Sequence, residues 1–262
     1  NAGRLWRRVH GSFASVGFSA IGIDINQKKI DALREGQAPE FYELGLEELL
    51  EEHRERISFT NRYEVFLRSC ETLFITVGTQ LMADGTPDIE GINACRDAMA
   101  PHLRKGHLIV LKSTVPVGTT RSLAADLERM TGLKEGSDFY VAYWPERTLE
   151  GRAVQEIRTL PKIVGGLTTE SGRLAGDVIG RLGGRVVSVT SPELAELCKL
   201  VDNTYRATNI AFANEIGIVC EALGIDSNDL VSAINSGYER TSLFRSGLGA
   251  GGPCLSKDPQ IL

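Results

Sequence analysis

Long apolar runs are missing from this 262-residue chain. No stretch approaches the roughly 20 residues that cross a bilayer. The opening segment NAGRLWRRVHGSFAS carries Arg without the apolar centre of a secretory signal. A cytoplasmic setting is therefore expected. Histidine is scarce: His10, His53, His102 and His107 stand apart from the cysteines. The five cysteines, Cys70, Cys95, Cys198, Cys220 and Cys254, are odd in number, scattered and without a CxxC pair. That leaves no zinc-like spacing and no disulfide framework, so no metal is expected. An excess of positive charge is also lacking. A net charge of −5 argues against nucleic acid or a membrane surface as partner. Internal repeats and low-complexity segments are absent.

What remains, with 42% apolar and 24% charged residues, is the composition of a globular chain. Its length suits one large domain or two modest ones. Short β-branched runs at 18–24, 72–77, 107–113, 139–144, 162–166 and 185–189 predict strands. Helix-like stretches such as QKKIDALREG and GLEELLEEHRER lie between them. Apolar strands alternating with helices predict an α/β fold, a doubly wound, Rossmann-like parallel sheet.

After residue 189 the pattern changes. Residues 191–224 contain no break. Ser191 suits an N-cap, Pro192 the first helical position and Gly224 the stop. A helix of about 32 residues would run roughly 48 Å, long enough for a domain spine or a dimer interface. A second helix, SNDLVSAINSG, follows with Ser227 as expected N-cap. The expected division is 1–190 as a dinucleotide-binding domain and 191–262 as a helical domain.

Several positions carry possible chemistry. Asp24 ends a strand where a Rossmann sheet places an acid against the adenosine ribose, favouring NAD over NADP; a turn carboxylate is the plainer reading. A Gly-rich turn should precede it by about 20 residues. There the sequence reads NAGRLW, with Gly3 retained and Asn1 and Trp6 at the flanking glycine positions. Trp6 is expected to obstruct helix–sheet packing or the approach of a pyrophosphate. Lys199 and Asn203, four apart, share a face of the long helix. Glu146, in YWPERTLEG, follows a strand end, where open α/β sheets bind ligands. KSTVPVGTT follows another. Cys254 is preceded by Gly247, Gly249, Gly251 and Gly252, which permit positive φ and close backbone approach, and is followed by Lys257 and Asp258. That setting predicts a reactive thiol.

The segment GAGGPCLSKDP resembles the catalytic cysteine motif of the UDP-glucose/GDP-mannose dehydrogenase family. GIDINQKKIDAL, YELGLEELL, DGTPDIE, KSTVPVGTT, PERTLEG and ELCKLVDNTYRA follow the family's order, so the resemblance covers nearly the whole chain. The branch most similar acts on UDP-N-acetyl-mannosamine or UDP-N-acetylglucosamine. The resemblance implies oxidation of a UDP-sugar C6 alcohol to a carboxylate with two NAD+. It implies Cys254 as nucleophile, with Lys199, Asn203 and Asp258 around the reacting oxygen. Glu146, or alternatively Asp258, would be the base for hydrolysis and Thr114 would order water. Asp24 and Lys29 would hold the adenosine ribose and nearby phosphate. Val77, Gly78 and Thr79, with Thr114, would line the nicotinamide, while Arg240 and Gly251 would reach the substrate. It also implies a homodimer through 191–224 and a role in polysaccharide precursor synthesis. Against full-length members the chain reads as short at both ends, without a first strand and without a second nucleotide-gripping domain. Two alternatives stand beside it: a β-hydroxyacid dehydrogenase, which needs no cysteine, and an inactive remnant serving only as a dimerisation module.

Overall fold

The structure, a computed structural model, describes residues 2–35, 43–62, 64, 67 and 69–262, with side chains from residue 9 onward. It divides into two compact units. The first comprises Asn1–Thr79 and Asp88–Glu196, the second Gln80–Pro87 and Leu197–Leu262.

The first unit opens with helix α1 (Ala2–Ser15), strand β1 (Ala20–Ile23), α2 (Gln27–Arg34), α3 (Leu46–Glu52), β2 (Ile57–Thr60) and β3 (Thr72–Ile75). After a small hairpin of β4 (Gln80–Leu81) and β5 (Pro87–Asp88) come α4 (Glu90–Met99), β6 (Leu108–Leu111) and α5 (Thr119–Thr131). Then follow β7 (Tyr140–Tyr143), α6 (Ala153–Thr159), β8 (Lys162–Gly166), α7 (Thr169–Gly180) and β9 (Val186–Val189). Helix α8 (Pro192–Leu223) starts in this unit and continues into the second, where α9 (Ser227–Asn235), α10 (Gly252–Leu255) and α11 (Asp258–Ile261) complete the chain.

Strands β3-β6-β7-β8-β9 form one sheet in that order, parallel except where β7 meets β8. β1 and β2 form a separate parallel pair. The six predicted strands are all there, β8 with its expected bounds and the other five shorter at their ends. β2 was missed because ISFT is only four residues long and lies among charged neighbours.

Two apolar cores flank the main sheet, as the two-residue strand period requires. Ile109, Leu111, Val141 and Tyr143 pack with Ile92, Met99, Leu123 and Leu127 of α4 and α5. Leu108, Val110, Ala142 and Trp144 pack with Val9 and Phe13 of α1, Ile157 of α6 and Ala175 and Ile179 of α7. All four residues of β6 are buried, so it lies between helices on both faces. The i,i+4 pair Val9 and Phe13 gives α1 its sheet-facing stripe.

Caps fix the helix ends. Ser191 Oγ accepts the Leu194 N–H at 3.2 Å, and Gly224, at φ +66°, ends α8. The cap of α9 differs from expectation. Asp226, not Ser227, is its N-cap, with a carboxylate oxygen accepting the Asn228 N–H at 2.7 Å. Ser227 is already helical and its hydroxyl pairs with that of Ser246. A carboxylate also suits the positive helix N-terminus better than a hydroxyl.

Candidate active site

The first unit gathers its polar groups at the carboxyl ends of its strands. Asp24 follows β1, and its N–H extends the ladder to the Thr60 carbonyl at 3.2 Å. Oδ1 accepts the Asn26 N–H at 3.0 Å, and Oδ2 is ion-paired with Lys29 Nζ. Asn26 in turn caps α2 by accepting the Lys29 N–H at 3.2 Å. The motif DINQKK thus builds a turn, a cap and a carboxylate–ammonium pair in six residues. Gly3 lies in the first turn of α1. The side chain of Trp6, with the packing conflict expected of it, and residue Asn1 lie outside the described residues.

The segment after β3 is stitched to the segment after β6. Ser113 Oγ donates to the Val77 carbonyl and Thr79 Oγ1 to the Thr114 carbonyl, each at 2.6 Å. The Tyr143 hydroxyl, fully buried, donates to the Ser113 carbonyl at 3.0 Å. Val77, Gly78, Thr79 and Thr114 are therefore neighbours.

Glu146 is held on both oxygens. Oε1 accepts the Thr148 N–H at 2.7 Å and its hydroxyl at 2.6 Å. Oε2 lies 3.1 Å from Lys112 Nζ. Burial works against the charged form, but the Lys112 ammonium and the Thr148 donors outweigh it and hold this carboxyl below its ordinary range. Two further carboxylates, both missed by the sequence reading, shape the surroundings. Glu43 accepts the N–H groups of Gly151 at 3.1 Å and Ala153 at 2.6 Å, capping α6 from a distant segment. Glu196, fully buried on α8, accepts from Gly118 N, Thr120 N and Thr120 Oγ1 at 2.6 to 2.8 Å and so caps α5. Burial pushes the Glu196 carboxyl up, while those donors pull it back.

The second unit holds another polar cluster. Asp258 is 1% exposed, and its Oδ2 accepts Asn203 Nδ2 at 2.5 Å. Its Oδ1 lies 3.2 Å from Lys257 Nζ, an ion pair without hydrogen-bond alignment, so among the described residues that oxygen has no hydrogen-bond partner. Lys199 is buried at 8% exposure, and among the described residues neither a hydrogen bond nor an ion pair reaches its ammonium. A buried cation and an under-satisfied buried carboxylate are costly unless a ligand completes them. Cys254 is exposed in α10, and no hydrogen bond among the described residues reaches its sulfur. The glycines before it divide. Gly249 (φ +101°) and Gly252 (φ +82°) take up left-handed backbone, whereas Gly247 and Gly251 do not. Asn214 of α8 anchors the loop by accepting the Gly247 N–H at 2.8 Å. Arg240 is exposed and stacks on Tyr238 at 5.7 Å; among the described residues no bond ties it to the cluster.

Comparison with known proteins matches residues 8–181 to the NAD-binding domain of the UDP-glucose/GDP-mannose dehydrogenase family and 193–262 to its central domain. The chain belongs to this family. The UDP-N-acetyl-D-mannosamine dehydrogenase of Pyrococcus horikoshii is 34% identical over 254 residues, covering 95% of this chain and 59% of that protein. An NDP-N-acetyl-D-galactosaminuronic acid dehydrogenase of Ralstonia solanacearum is 35% identical, with 92% and 58% covered. A solved UDP-N-acetyl-mannosamine dehydrogenase structure from Pyrococcus horikoshii superposes with a TM-score of 0.92 at 32% identity, covering 97% of this chain and 60% of that one. This chain thus spans a little under 60% of the length of these curated relatives.

Family membership sets aside the β-hydroxyacid dehydrogenase alternative. The family's cofactor fits the first unit. Asp24, its side chain 16% exposed and oriented by Asn26, can accept the hydroxyls of an adenosine ribose. Lys29 stands against it. The stitched 77–79 segment supplies backbone groups at the ends of β3 and β6, where such sheets bind dinucleotides. Among the described residues, no group of His, Cys, Asp and Glu could hold a metal ion, and no helix is long and apolar enough to cross a membrane. The sequence reading missed Lys112, though a signal was available. Leu108, Val110 and Lys112 share a strand parity, so a Lys at that position continues an inward-facing row.

Proposed function

We propose that this chain carries out NAD-dependent oxidation of the C6 alcohol of a UDP-sugar, of the UDP-N-acetyl-mannosamine class, to the uronate. The balance is R–CH2OH + 2 NAD+ + H2O → R–COO− + 2 NADH + 3 H+. The observation that carries this reading is the buried Asn203–Asp258 hydrogen bond, with buried Lys199 one helical turn before Asn203, in the unit that exposes the Cys254 thiol. An ammonium without a partner among the described residues and an under-satisfied carboxylate suit an oxygen that loses a proton and gains negative charge.

NAD+ would supply the hydride acceptor for both oxidations, held by Asp24, Lys29 and the residues at 77–79, with Gly3 in the first turn of α1. The protein side chains do the rest. Asp258 takes the alcohol proton, while Lys199 and Asn203 stabilise the oxyanion. Cys254 adds to the aldehyde, giving a hemithioacetal with an oxygen from which electrons can push again. The thioester formed by the second oxidation is opened by water. A proton passes from that water to Glu146, Thr114 orders it, and the Cys254 sulfur leaves as thiolate. Arg240 and Gly251 are assigned to the substrate. The product is a charged sugar donor of the kind that polysaccharide assembly consumes, and a cytoplasmic setting suits the nucleotide substrates.

Calorimetry with NAD+ on the purified chain is the first test. A micromolar Kd is expected, followed by NADH formation with UDP-N-acetyl-mannosamine. No heat at millimolar NAD+ would instead favour the remnant reading, a folded module without a working cofactor site.

The same reading includes a homodimer. Within the second unit, Val201, Tyr205, Phe212, Val219 and Leu223 of α8 are 47 to 67% exposed. Their spacing follows one helical stripe, and so contiguous an apolar face argues for a protein partner. A second copy of the chain is the expected occupant. The mass in solution at micromolar concentration should be twice that of the chain; a monomeric mass would refute the dimer.

A further inference from the structure

Lys112 has a place in the first unit that nothing in the reaction outlined above explains. Its side chain is 1% exposed. The ammonium sits 3.5 Å from the centroid of the Trp144 ring and 3.1 Å from Glu146 Oε2. Burying an ammonium is costly unless it is paired; the indole face and the carboxylate both contribute to that pairing. Conversely, Glu146 has no freedom left. One oxygen takes both Thr148 donors and the other faces Lys112. The charged groups around this pair are Lys162 at the start of β8, Arg147 in the same loop and Glu156 on α6. Lys162 is itself buried, with its ammonium on the carbonyls of Leu160 and Gly183, so it does not replace Lys112.

We propose that Lys112 is the positioning residue for Glu146: from its place between the Trp144 ring and the carboxylate it fixes the carboxylate's orientation and supplies the counter-charge beside it. The inference rests on the dehydrogenase reading for its catalytic meaning, but the pair itself does not. Glu146 then serves as a proton acceptor available throughout neutral and mildly acidic pH. The sign follows from linkage. A carboxyl whose folded pKa is lowered contributes stability above its unfolded pKa, and that contribution is lost as pH falls through the folded value. Removing the ammonium leaves only the Thr148 donors to oppose burial and so moves the Glu146 titration upward.

Trp144 is a built-in reporter, and Trp6→Phe removes the only other indole. In that background, Trp144 emission is expected to stay flat from pH 8 down to the ordinary glutamate range and to change only below it. A midpoint at or above that range in the unaltered pair overturns the proposal, with no charge-removing variant needed. In Lys112→Met, which keeps the aliphatic stem against the ring, the midpoint should rise. The added Glu146→Gln substitution should abolish it and, by removing both charges, gives a second variant if Lys112→Met folds poorly. In turnover assays Lys112→Met should lower kcat at pH 5.5 about tenfold more than at pH 8, with the KM for the UDP-sugar within about twofold. Equal losses at both pH values, or an unshifted emission midpoint, would refute positioning. A shifted midpoint in a chain that oxidises no UDP-sugar would retain the pair and reject the dehydrogenase reading instead.

Discussion

Cys254→Ser is expected to slow uronate formation by about a thousandfold or more while leaving the first oxidation measurable. The reason is electronic. An alcohol loses hydride readily once its proton is removed, because the oxygen lone pair pushes the hydride out. An aldehyde has no such oxygen to push from until something adds to its carbon. A thiolate adds readily and leaves readily, so one atom solves both problems. A Ser hydroxyl is much less acidic and, once acylated, gives an ester that water opens slowly. The variant should therefore yield one NADH per sugar and stall, with aldehyde or its hydrate bound or released. Product analysis by mass spectrometry, alongside the NADH count, reads this directly. The cluster of Lys199, Asn203 and Asp258 remains intact in the variant, since among the described residues no hydrogen bond ties it to the Cys254 sulfur. A loss confined to the second NADH then assigns the sulfur. Two NADH per sugar at an undiminished rate would show that acid formation runs without a thioester.

The layered fold was legible in the sequence because its signals are local. Strands of apolar and β-branched residues are bounded by turn residues, and the 191–224 helix has a Ser-Pro start and a Gly stop that α8 reproduces as Pro192–Leu223. The segment around Cys254 drew attention in the sequence because glycine and cysteine in one short segment are an unusual combination. What escaped was long-range pairing. Glu43 reaches Gly151 and Ala153 across more than 100 residues, and Glu196 reaches Thr120 across 76. In sequence both look like ordinary helical or loop acids, because a carboxylate carries no mark of the N–H groups it will meet. Lys112 escaped for a related reason. A Lys at a strand end is usually solvated, and the contacts that make its burial tolerable, with Trp144 and with Glu146 34 positions on, are long-range. The Asp226 cap escaped through a choice between adjacent residues that both favour the position.

Gly166→Ala is expected to destabilise the first unit by about 3 kcal/mol or more. Gly166 ends β8, and a Cβ placed there would lie 2.0 Å from Gly172 N, 2.5 Å from Gly172 Cα and 2.7 Å from the Thr168 carbonyl oxygen. All three are backbone atoms, so no rotamer change can relieve the clash; α7 must move. Its first turn is tied down by the Thr168 Oγ1 cap on Ser171 N at 3.1 Å. Further along, Ala175 and Ile179 are fully buried against the sheet. A shift large enough to admit a methyl group would loosen both the cap and that core face. At about 2–4 °C per kcal/mol for a chain of this size, the melting temperature should fall by about 6 °C or more, with aggregation during expression a plausible companion. Gly176→Ala is the matched control. That glycine lies inside the same helix, and its added Cβ would meet only Val186 Cγ1 at 3.6 Å, an ordinary contact. There the restricted unfolded chain and the better helix former should stabilise by about 0.5–1 kcal/mol. Two Gly→Ala changes ten residues apart should thus move the melting temperature in opposite directions. If both lower it, Gly176 matters for a reason other than backbone approach; if neither does, β8 and α7 can separate at little cost and the clash does not decide the packing.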